Sequence, residues 1–346
     1  MSIAIKAAGR RFARGALPAL GLLVSGCSGE QSAMDPAGPQ AARIYGLWLL
    51  YLGVCVVIYG GVLLLVLRGA LRRGQSGAPE GPDLAPPADR ERWLVRSVAG
   101  AVALTVVILF VLMIGDFATG RAIRSLADPD TLTIRLTGHQ WWWEVRYEDS
   151  TPSRIVTTAN EIHIPVGRAV QVELLSADVI HSFWVPNLHG KRDMIPGHPT
   201  RVYLKADRPG TFKGQCAEFC GYQHANMRFV VVAEPEEQFG RWLDARRQPA
   251  AEPVTEGQRR GRQVFLGSTC LMCHAIRGTV AMSRAGPELT HIGDRPLIGC
   301  VVPNTRGDLA GWIVDPQHLK PGVKMPLNPL RPEELNPLLD YLESLK

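Results

Sequence analysis

The 346-residue chain is long enough for two or three domains, each with its own core. Its net charge of +6 is mild and its arginines are spread along the chain, which argues against a basic stripe for binding nucleic acid. The seven cysteines are an odd number, which argues against a simple disulfide framework. The 26 prolines and 35 glycines suit a loop-rich, partly β protein with linkers.

The N-terminus has the order of an export signal. Four basic residues precede the apolar run ALPALGLLV, which is followed by VSGC ending at Cys27. VSGC also resembles a bacterial lipobox, in which the cysteine becomes the lipidated first residue of the mature chain. The alternative is a plain signal peptide with a chance cysteine. The prediction is a lipoprotein-type signal, with Cys27 carrying the lipid.

Two apolar segments are predicted to cross a membrane. The first, IYGLWLLYLGVCVVIYGGVLLLVL over 44–67, has no charge and is long enough for a bilayer core of about 30 Å. The second covers about 93–115, with Arg96 near its end. Arginines in the connection place it in the cytoplasm by the positive-inside rule. Both mature termini and everything after residue 116 are therefore expected on the outer face of a bacterial inner membrane.

The exported region divides into two parts. Residues 131–243 alternate apolar and polar residues in short runs such as TLTIRLTG and AVQVELLS, which predicts an antiparallel β-sandwich or barrel. DARRQPAAEPVTE over 244–256 has the composition of a flexible linker. Residues 257–346 show short helical patterns, glycine- and proline-rich loops and a closing helix, which predicts a separate helical domain.

CLMCH at 270–274 is the strongest local motif in the chain. C-x-x-C-H attaches haem c, because the thiols of Cys270 and Cys273 add to the porphyrin and His274 supplies the proximal nitrogen. A redox dithiol or half a zinc site are the alternatives. A dithiol normally has a βαβ context, and the sequence contains no second C-x-x-C to complete a zinc tetrahedron. The motif therefore predicts one covalently bound haem c.

An electron-transfer haem c needs a second axial ligand, which is usually methionine. Met325 lies on the proline-containing loop KPGVKMP, whereas Met272 is inside the attachment motif and Met282 is too close to it to reach across the ring. Met325 is therefore the predicted ligand. Residues 257–346 also resemble a small bacterial cytochrome c domain, through GRQVFLGSTCLMCH, GPELTHIGDR and LAGWIVDPQHLKPGVKMP.

The segment GQCAEFCGYQHANM contains Cys216, Cys220, His224 and Met227. In an exported domain, C-x-x-x-C is explained most simply by a disulfide, and next by structural zinc. Neither explanation needs Met227. Thiolate, imidazole and thioether together are the ligand set of a copper electron-transfer site, and two cysteines four residues apart can bridge two metals. The segment therefore predicts a site for two copper ions, which also needs a second histidine.

The exported β domain resembles the dicopper (CuA) cupredoxin domain of cytochrome c oxidase subunit II. The resemblance runs from GHQWWWEV through DVIHSFWVPNLHGKRDMIPG to GQCAEFCGYQHANM, and the signal and helical hairpin fit the same family. A C-terminal haem domain is typical of the caa3-type oxidases. The resemblance implies a multi-domain membrane protein with a two-helix transmembrane hairpin, an all-β cupredoxin-like domain and an all-α cytochrome c domain.

The segments expected from these patterns and from the resemblance divide the chain into eight parts. In chain order they are a lipoprotein-type signal peptide (1–26), an exported tail (27–42), a transmembrane helix (43–68), a cytoplasmic loop (69–92), a second transmembrane helix (93–115), a CuA domain (116–243), a linker (244–256) and a cytochrome c domain (257–346).

The resemblance also implies the site residues. The two coppers are held by His181, Cys216, Cys220, His224, Met227 and the backbone carbonyl of Glu218. The side chain of Glu218 reaches a magnesium ion shared with the catalytic subunit, and Trp141 is the surface aromatic through which electrons reach the copper site. For Trp141 the alternative is plain packing, since strand tryptophans usually fill a core. On a strand Trp141 and Trp143 share one face and Trp142 takes the other.

The function that the resemblance implies is electron transfer within a membrane oxidase, as follows. Haem c accepts an electron from a cytochrome c or a bc complex and passes it to the CuA centre. That centre passes it to catalytic subunit I, which sits with other oxidase subunits and reduces O2 to water with proton pumping. The alternative is the dicopper electron-accepting subunit of a membrane nitric oxide reductase. A structural or metal-binding membrane module is a third, weaker hypothesis, and no role with nucleic acid is expected.

Overall fold

The computed structural model describes residues 28–73, 88–124 and 131–346 of the chain. The predicted signal peptide, Cys27 and most of the connection between the two apolar segments lie outside these described residues. The chain falls into two units, one formed by Ala42–Ser125 and the other by the rest of the chain. The first unit is helical, and the second contains the β domain and the C-terminal helical domain.

Two long apolar helices, α1 (Pro39–Arg73) and α2 (Ala88–Arg124), contain the two predicted spans. Both are long and apolar enough to cross a membrane by length and composition. Their apolar side chains are exposed, for example Val57 at 74% and Leu65 at 72%, as expected of a lipid-facing surface. The helices extend beyond the predicted spans, and the acidic first turn and basic last turn of α2 complement its dipole.

Ten strands build the β domain. They are β1 (Leu132–His139), β2 (Trp142–Tyr147), β3 (Val156–Ala159), β4 (Glu161–Pro165), β5 (Val170–Ser176), β6 (His181–Trp184), β7 (Arg192–Met194), β8 (Thr200–Leu204), β9 (Gly210–Cys216) and β10 (Arg228–Glu234). They form two five-stranded sheets, in the orders β3-β2-β1-β5-β8 and β4-β10-β9-β6-β7. The β1–β5 and β4–β10 pairs are parallel. The predicted sandwich is present and its other strand pairs are antiparallel. The two parallel pairs depart from the predicted antiparallel pattern, because the chain visits the other sheet between the two members of each parallel pair.

One apolar core lies between the sheets. Burial alternates along β1 and β2, as the period of a half-buried strand requires, and it points Trp143 and Tyr147 inward. Phe183 and Phe229 enter from the other sheet, and the rings of Trp143 and Phe229 meet edge to face at 5.0 Å. These large aromatic side chains fix the distance between the sheets and support the end of the sandwich at which β6 begins and β9 ends.

The C-terminal domain is mainly helical. Its elements are α4 (Glu256–Gly267), α5 (Arg306–Val314), α6 (Pro316–Leu319), α7 (Pro332–Ser344) and a short hairpin of β11 (Leu297–Ile298) and β12 (Val302–Pro303); α3 (Glu236–Arg247) precedes it. A capping box of Thr255 and Gln258 begins α4. α4 packs closely on α7 because Gly261 has no side chain there; a Cβ would lie 1.9 Å from the Pro337 carbonyl oxygen. This helix pair forms the main core of the domain.

The segment predicted as a flexible linker is held in place on both sides. Its first residues, up to Arg247, belong to α3, whose acidic first turn and basic last turn stabilise it. The backbone N–H of Ala250 donates to the Arg277 carbonyl at 2.9 Å. The Arg277 guanidinium in turn donates to the Ser153 and Ile155 carbonyls of the β domain. The haem-motif domain is therefore packed on the β domain rather than loosely tethered to it.

Glu288 gives the C-terminal domain a pH-dependent stability. Burial raises the pKa of this carboxyl from 4.5 to about 7, although Arg295 and Arg277 oppose the shift. The folded state therefore binds the proton more tightly than the unfolded chain. The contribution of Glu288 to the free energy of unfolding is fully present below about pH 4.5 and is lost as the pH rises through about 7.

We expect Glu288→Gln to remove this dependence. The midpoint of thermal unfolding of the haem domain, followed by haem absorbance, should rise relative to the unsubstituted chain at pH 8 and change little at pH 5. Glu333→Gln, which alters an exposed carboxyl in the first turn of α7, is the matched control and should change the midpoint only slightly and by the same amount at both pH values. Equal shifts for Glu288→Gln at both pH values would contradict the assignment.

Candidate metal centre and haem site

The sheet that contains β6 and β9 brings the predicted copper ligands together at one end of the sandwich. β9 ends at Cys216 and β10 begins at Arg228, so Glu218, Cys220, His224 and Met227 lie on the loop 217–227 between these strands, here called the copper loop. His181 is the first residue of β6, which pairs with β9 through Phe183 and Cys216. This pairing places His181 beside a cysteine that is 35 residues away in sequence.

The predicted donors converge on the two thiols. A ring nitrogen of His181, Cys216 Sγ and Cys220 Sγ all lie within 4.8 Å of one another. The closest separations are 3.8 Å for Cys216 Sγ to His181 Nδ1, 3.1 Å for Cys216 Sγ to Glu218 O, 3.5 Å for Cys220 Sγ to His224 Nδ1 and 3.7 Å for Cys220 Sγ to Met227 Sδ. Each thiol thus has two further donors beside it, and the cluster is buried at its centre.

The electrostatics of the two thiols favour binding a soft cation. Both cysteines are free. A hydrogen bond from Cys220, with further help from His181, lowers the pKa of Cys216 despite burial. The adjacent Cys216 thiolate and burial raise the pKa of Cys220. These opposite shifts favour one thiolate, on Cys216, and a bound cation would favour loss of the second proton from Cys220. This set, with its thioether, fits copper better than zinc or a disulfide.

Asp178 orients the histidine of this cluster and was not found by sequence reasoning. His181 Nε2 lies 2.9 Å from Asp178 Oδ1, which leaves Nδ1 to face Cys216. Burial alone would raise the pKa of Asp178, but hydrogen bonds from Gln140 N and His181 outweigh it and lower the pKa to about 2. The carboxylate is therefore charged at neutral pH. The spacing D-x-x-H in DVIH was the available signal.

Gly138 gives the His181 ring its space. A Cβ at Gly138 on β1 would lie 2.8 Å from His181 Cδ2 and 3.1 Å from Cγ, so any side chain there must displace the ring. We expect Gly138→Ala to weaken copper retention by about 10- to 100-fold, as disturbed supporting groups do at metal sites. Copper per chain after dialysis against graded chelator concentrations measures this. Gly240→Ala, which meets no atom within 4 Å, is the control. Identical retention in both variants would contradict the prediction.

Trp141 lies in the turn between β1 and β2 and covers the copper loop. Its indole Nε1 donates to the Cys220 carbonyl at 3.0 Å, and Gln140 Nε2 donates to the same oxygen at 2.7 Å. Trp142 and Trp143 alternate on β2, with Trp142 half-buried and Trp143 buried, whereas Trp141 is buried in the turn before the strand and so does not share a strand face with Trp143 as predicted. Trp143 fills the core, but Trp141 is bonded directly to the backbone of a predicted ligand. Both the packing and the electron-transfer hypotheses for Trp141 are compatible with this position.

The C-x-x-C-H motif forms one compact turn. Its backbone is closed by bonds from the N–H groups of Cys273 and His274 to the Cys270 carbonyl, at 3.2 and 3.0 Å. His274 Nδ1 donates to the Pro287 carbonyl at 2.7 Å, which leaves Nε2 for an iron ion. Gly286 lies against the ring, where a Cβ would be 2.8 Å from His274 Cε1. The two free thiols and one oriented imidazole therefore fit covalent haem attachment.

Met325 lies on an ordered loop after α6. Gln317 Nε2 donates to the carbonyls of Val323 at 2.7 Å and Met325 at 3.0 Å, which fixes the path of this loop. Met325 is half-buried, whereas Met272 and Met282 are 67% and 80% exposed. A thioether that binds haem iron is shielded from solvent, so the lower exposure of the Met325 side chain favours Met325 as the ligand. It remains the predicted second axial ligand.

These features define a class of protein. A two-sheet β domain with a thiol, imidazole and thioether cluster, a domain with a haem-attachment turn and two apolar helices together describe a membrane-anchored electron-transfer protein. Residues 150–234 match the family model for the periplasmic domain of cytochrome c oxidase subunit II, and residues 258–346 match that for cytochrome c. The chain belongs to the cytochrome c oxidase subunit II family, in the form with a C-terminal cytochrome c domain.

Similar proteins cover almost the whole chain. Cytochrome c oxidase subunit 2 of Alkalihalophilus pseudofirmus is 36% identical over 345 residues, which cover 94% of this chain and 95% of that one. The subunit 2 of Bacillus subtilis is 28% identical over 342 residues, with the same coverage of 94% and 95%. The solved periplasmic domain of subunit II from Bradyrhizobium japonicum is 32% identical, with a TM-score of 0.32, and covers 35% of this chain and 95% of that one.

Proposed function

We propose that this chain takes electrons into a caa3-type haem–copper oxidase through haem c on residues 257–346 and a dicopper CuA centre on residues 131–243. Family membership establishes the coarser function, electron transfer as subunit II of a haem–copper oxidase. The observation that carries the finer proposal is the convergence of two free thiols with further donors beside each of them. A shared pair of thiolates is what two copper ions need.

The proposed ligands fall into two groups. The dicopper centre would be held by His181, Cys216, Cys220, His224, Met227 and the Glu218 carbonyl, and the haem by Cys270, Cys273, His274 and Met325. When bound, these groups carry single electrons. At the copper-type cluster, His181, Cys216, Cys220 and Met227 are already buried and close together, so little rearrangement would be needed there when the charge on the metal changes.

The chain's own residues support this role in distinct ways. Asp178 holds the His181 ring so that Nδ1 faces the thiols. Trp141, bonded to the Cys220 carbonyl, is proposed as the residue through which electrons reach the copper site. His274 is oriented by the Pro287 carbonyl with Nε2 directed away from it. These contacts position donors and an aromatic ring and require no bond chemistry on oxygen by this chain.

The rim of the copper site is proposed to face the catalytic subunit. Phe219 and Tyr222 are 76% and 79% exposed next to the buried thiols, an unusual placement for large aromatic residues. Glu218 is also exposed. Its backbone carbonyl contacts Cys216 Sγ, and its side-chain carboxylate does not take part in that contact. The carboxylate is therefore free to join a magnesium ion at this subunit interface, as oxygen donors favour.

The membrane placement follows from the same assignment. The helices α1 and α2 anchor the chain, and the copper and haem domains are proposed to lie on the periplasmic or extracellular face of the inner membrane. Lipid on Cys27 would add a second anchor. Electron donors of the cytochrome c or bc type would then approach from the side on which the haem domain lies.

Oxygen is favoured over nitric oxide as the final acceptor, since the full-length relatives are named cytochrome c oxidases. The test is to isolate the chain with its membrane partners in mild detergent and assay metals and turnover. About two coppers per haem c, with rapid oxidation of reduced haem c by oxygen, would support the proposal. Zinc, or no metal, bound to the β domain would refute the dicopper centre. Turnover with nitric oxide alone would show that the chain transfers electrons to a nitric oxide reductase instead of an oxidase.

A further inference from the structure

The loop that carries Met325 also closes over the copper domain. Gln223, on the copper loop, donates from Nε2 to the Pro321 carbonyl at 2.8 Å. Val323 packs against the apolar core of the β domain. At Gly322, a Cβ would lie 3.4 Å from the ring atoms of Trp141, so the loop backbone rests on the indole. The two domains therefore meet at the aromatic residue that covers the copper site.

A buried lysine lies at the centre of this contact. Lys320 is only 1% exposed. Its ammonium donates to the Trp141 carbonyl at 2.8 Å, to the Asn226 carbonyl at 3.0 Å and to the Gly299 carbonyl at 2.8 Å. The first two acceptors belong to the copper domain and the third to the haem domain. One side chain thus joins the turn that carries Trp141, the copper loop and the haem domain.

The chemistry of an ammonium makes this contact specific. A lysine has three N–H donors and no acceptor, and here each donor has a carbonyl partner. Removing a charge from water is costly unless every donor is satisfied, so Lys320 tolerates only the arrangement in which all three carbonyls are in place. The neighbouring Lys324 pairs with Asp178 at 3.3 Å, but its side chain is 69% exposed and contributes little.

We propose that Lys320 is a positioning residue that locks the haem domain against Trp141, so that the haem-to-copper path is preset rather than reached by diffusion of a tethered domain. This inference rests on the proposed function. It adds that the docked haem domain covers Trp141, which is 9% exposed, and so closes that residue to electron donors outside the chain. Electrons then reach the copper domain by way of the chain's own haem domain.

Acylation of lysines in the intact, folded complex tests the locked arrangement directly. The complex is treated briefly with a small amine acylating reagent, and modification of each lysine is followed by mass spectrometry. Lys320 should react at least about tenfold more slowly than Lys213, whose side chain is 58% exposed. Equal rates at the two positions would show that the contact opens freely, and that result would overturn the inference.

Lys320→Gln provides the functional arm of the test. Glutamine is shorter than lysine, has two N–H donors instead of three and adds an acceptor, so at least one of the three buried carbonyls loses its donor. This loss should loosen the docked arrangement at least about tenfold. After light-triggered reduction of haem c, electron transfer from haem to copper should slow by a similar factor. Copper content, the copper spectrum and the haem midpoint potential should stay unchanged. Lys213→Gln makes the same substitution at an exposed position and is the control.

The outcomes separate the two proposals. An unsubstituted chain that lacks haem c or copper fails the proposed function. A chain that holds both groups, but whose electron transfer is unaffected by Lys320→Gln, fails only the inference. If Lys320→Gln loses both the copper spectrum and haem-to-copper electron transfer, Lys320 supports the copper loop itself, and this result would also overturn the inference. If the variant does not fold, the acylation rates of Lys320 and Lys213 in the unsubstituted complex still test whether the contact between the two domains stays closed.

Discussion

Replacing Cys216 with serine should remove copper from the β domain and leave haem c attached. The hydroxyl of serine is similar in size but neither soft nor ionised at neutral pH, so it cannot replace the thiolate that His181, Glu218 and Cys220 surround. Copper per haem should fall from about two to near zero. Oxidation of reduced haem c by oxygen should stop, because the path to the catalytic subunit is broken.

The control for this experiment is Cys55→Ser. Cys55 lies on the exposed surface of α1 and the same substitution there should change neither copper content nor turnover. Metal analysis, the copper absorption spectrum and stopped-flow oxidation of haem c provide three separate measurements. A Cys216→Ser protein that retains two coppers per haem and full turnover would contradict the assignment of the cluster as a dicopper centre.

Replacing Met325 with leucine should change the haem rather than the copper. Leucine is close to methionine in volume, so the loop should keep its packing at a cost below about 1.5 kcal/mol. Loss of a thioether ligand should lower the midpoint potential of haem c by at least about 100 mV, a modest part of the roughly 0.8 V range that axial ligands control. The thioether-to-iron absorption band should disappear at the same time.

Met282→Leu is the matched control for the axial ligand. Met282 is 80% exposed and should be replaceable without effect on the potential. A redox titration of each purified complex, followed at the haem absorption bands, measures both variants under the same conditions. If Met282→Leu lowers the potential and Met325→Leu does not, the ligand has been assigned to the wrong methionine. Copper content serves as an internal check that the β domain remains folded.

Several parts of the site could be predicted because their residues are neighbours in the sequence. Cys216, Cys220, His224 and Met227 lie on one loop and its flanks, where short connections alone keep the donors near one another. The C-x-x-C-H turn is closed by backbone bonds within five residues. The two apolar helices also follow from composition, since such surfaces are stable only out of water.

Other parts depended on contacts between distant residues. Both parallel strand pairs arise from the path of the chain between two sheets, which local alternation of apolar residues does not reveal. The flexible linker was predicted from its composition, yet its first residues belong to α3, Ala250 in its middle bonds to Arg277, and its last residues begin α4. Composition reports how a segment behaves when it has no partner, and here the domains on either side provide one.

The sequence by itself determined the chemistry of this protein: two thiols, imidazoles and a thioether for copper, a haem-attachment turn, and two membrane helices. Only the tertiary structure decided how these parts are aligned. The pairing of β6 with β9 brings His181 to Cys216, Asp178 then orients its ring, and Lys320 joins the haem domain to Trp141. The physical reason is that ligand type is a property of single residues, whereas alignment depends on strand register and on the packing of distant surfaces.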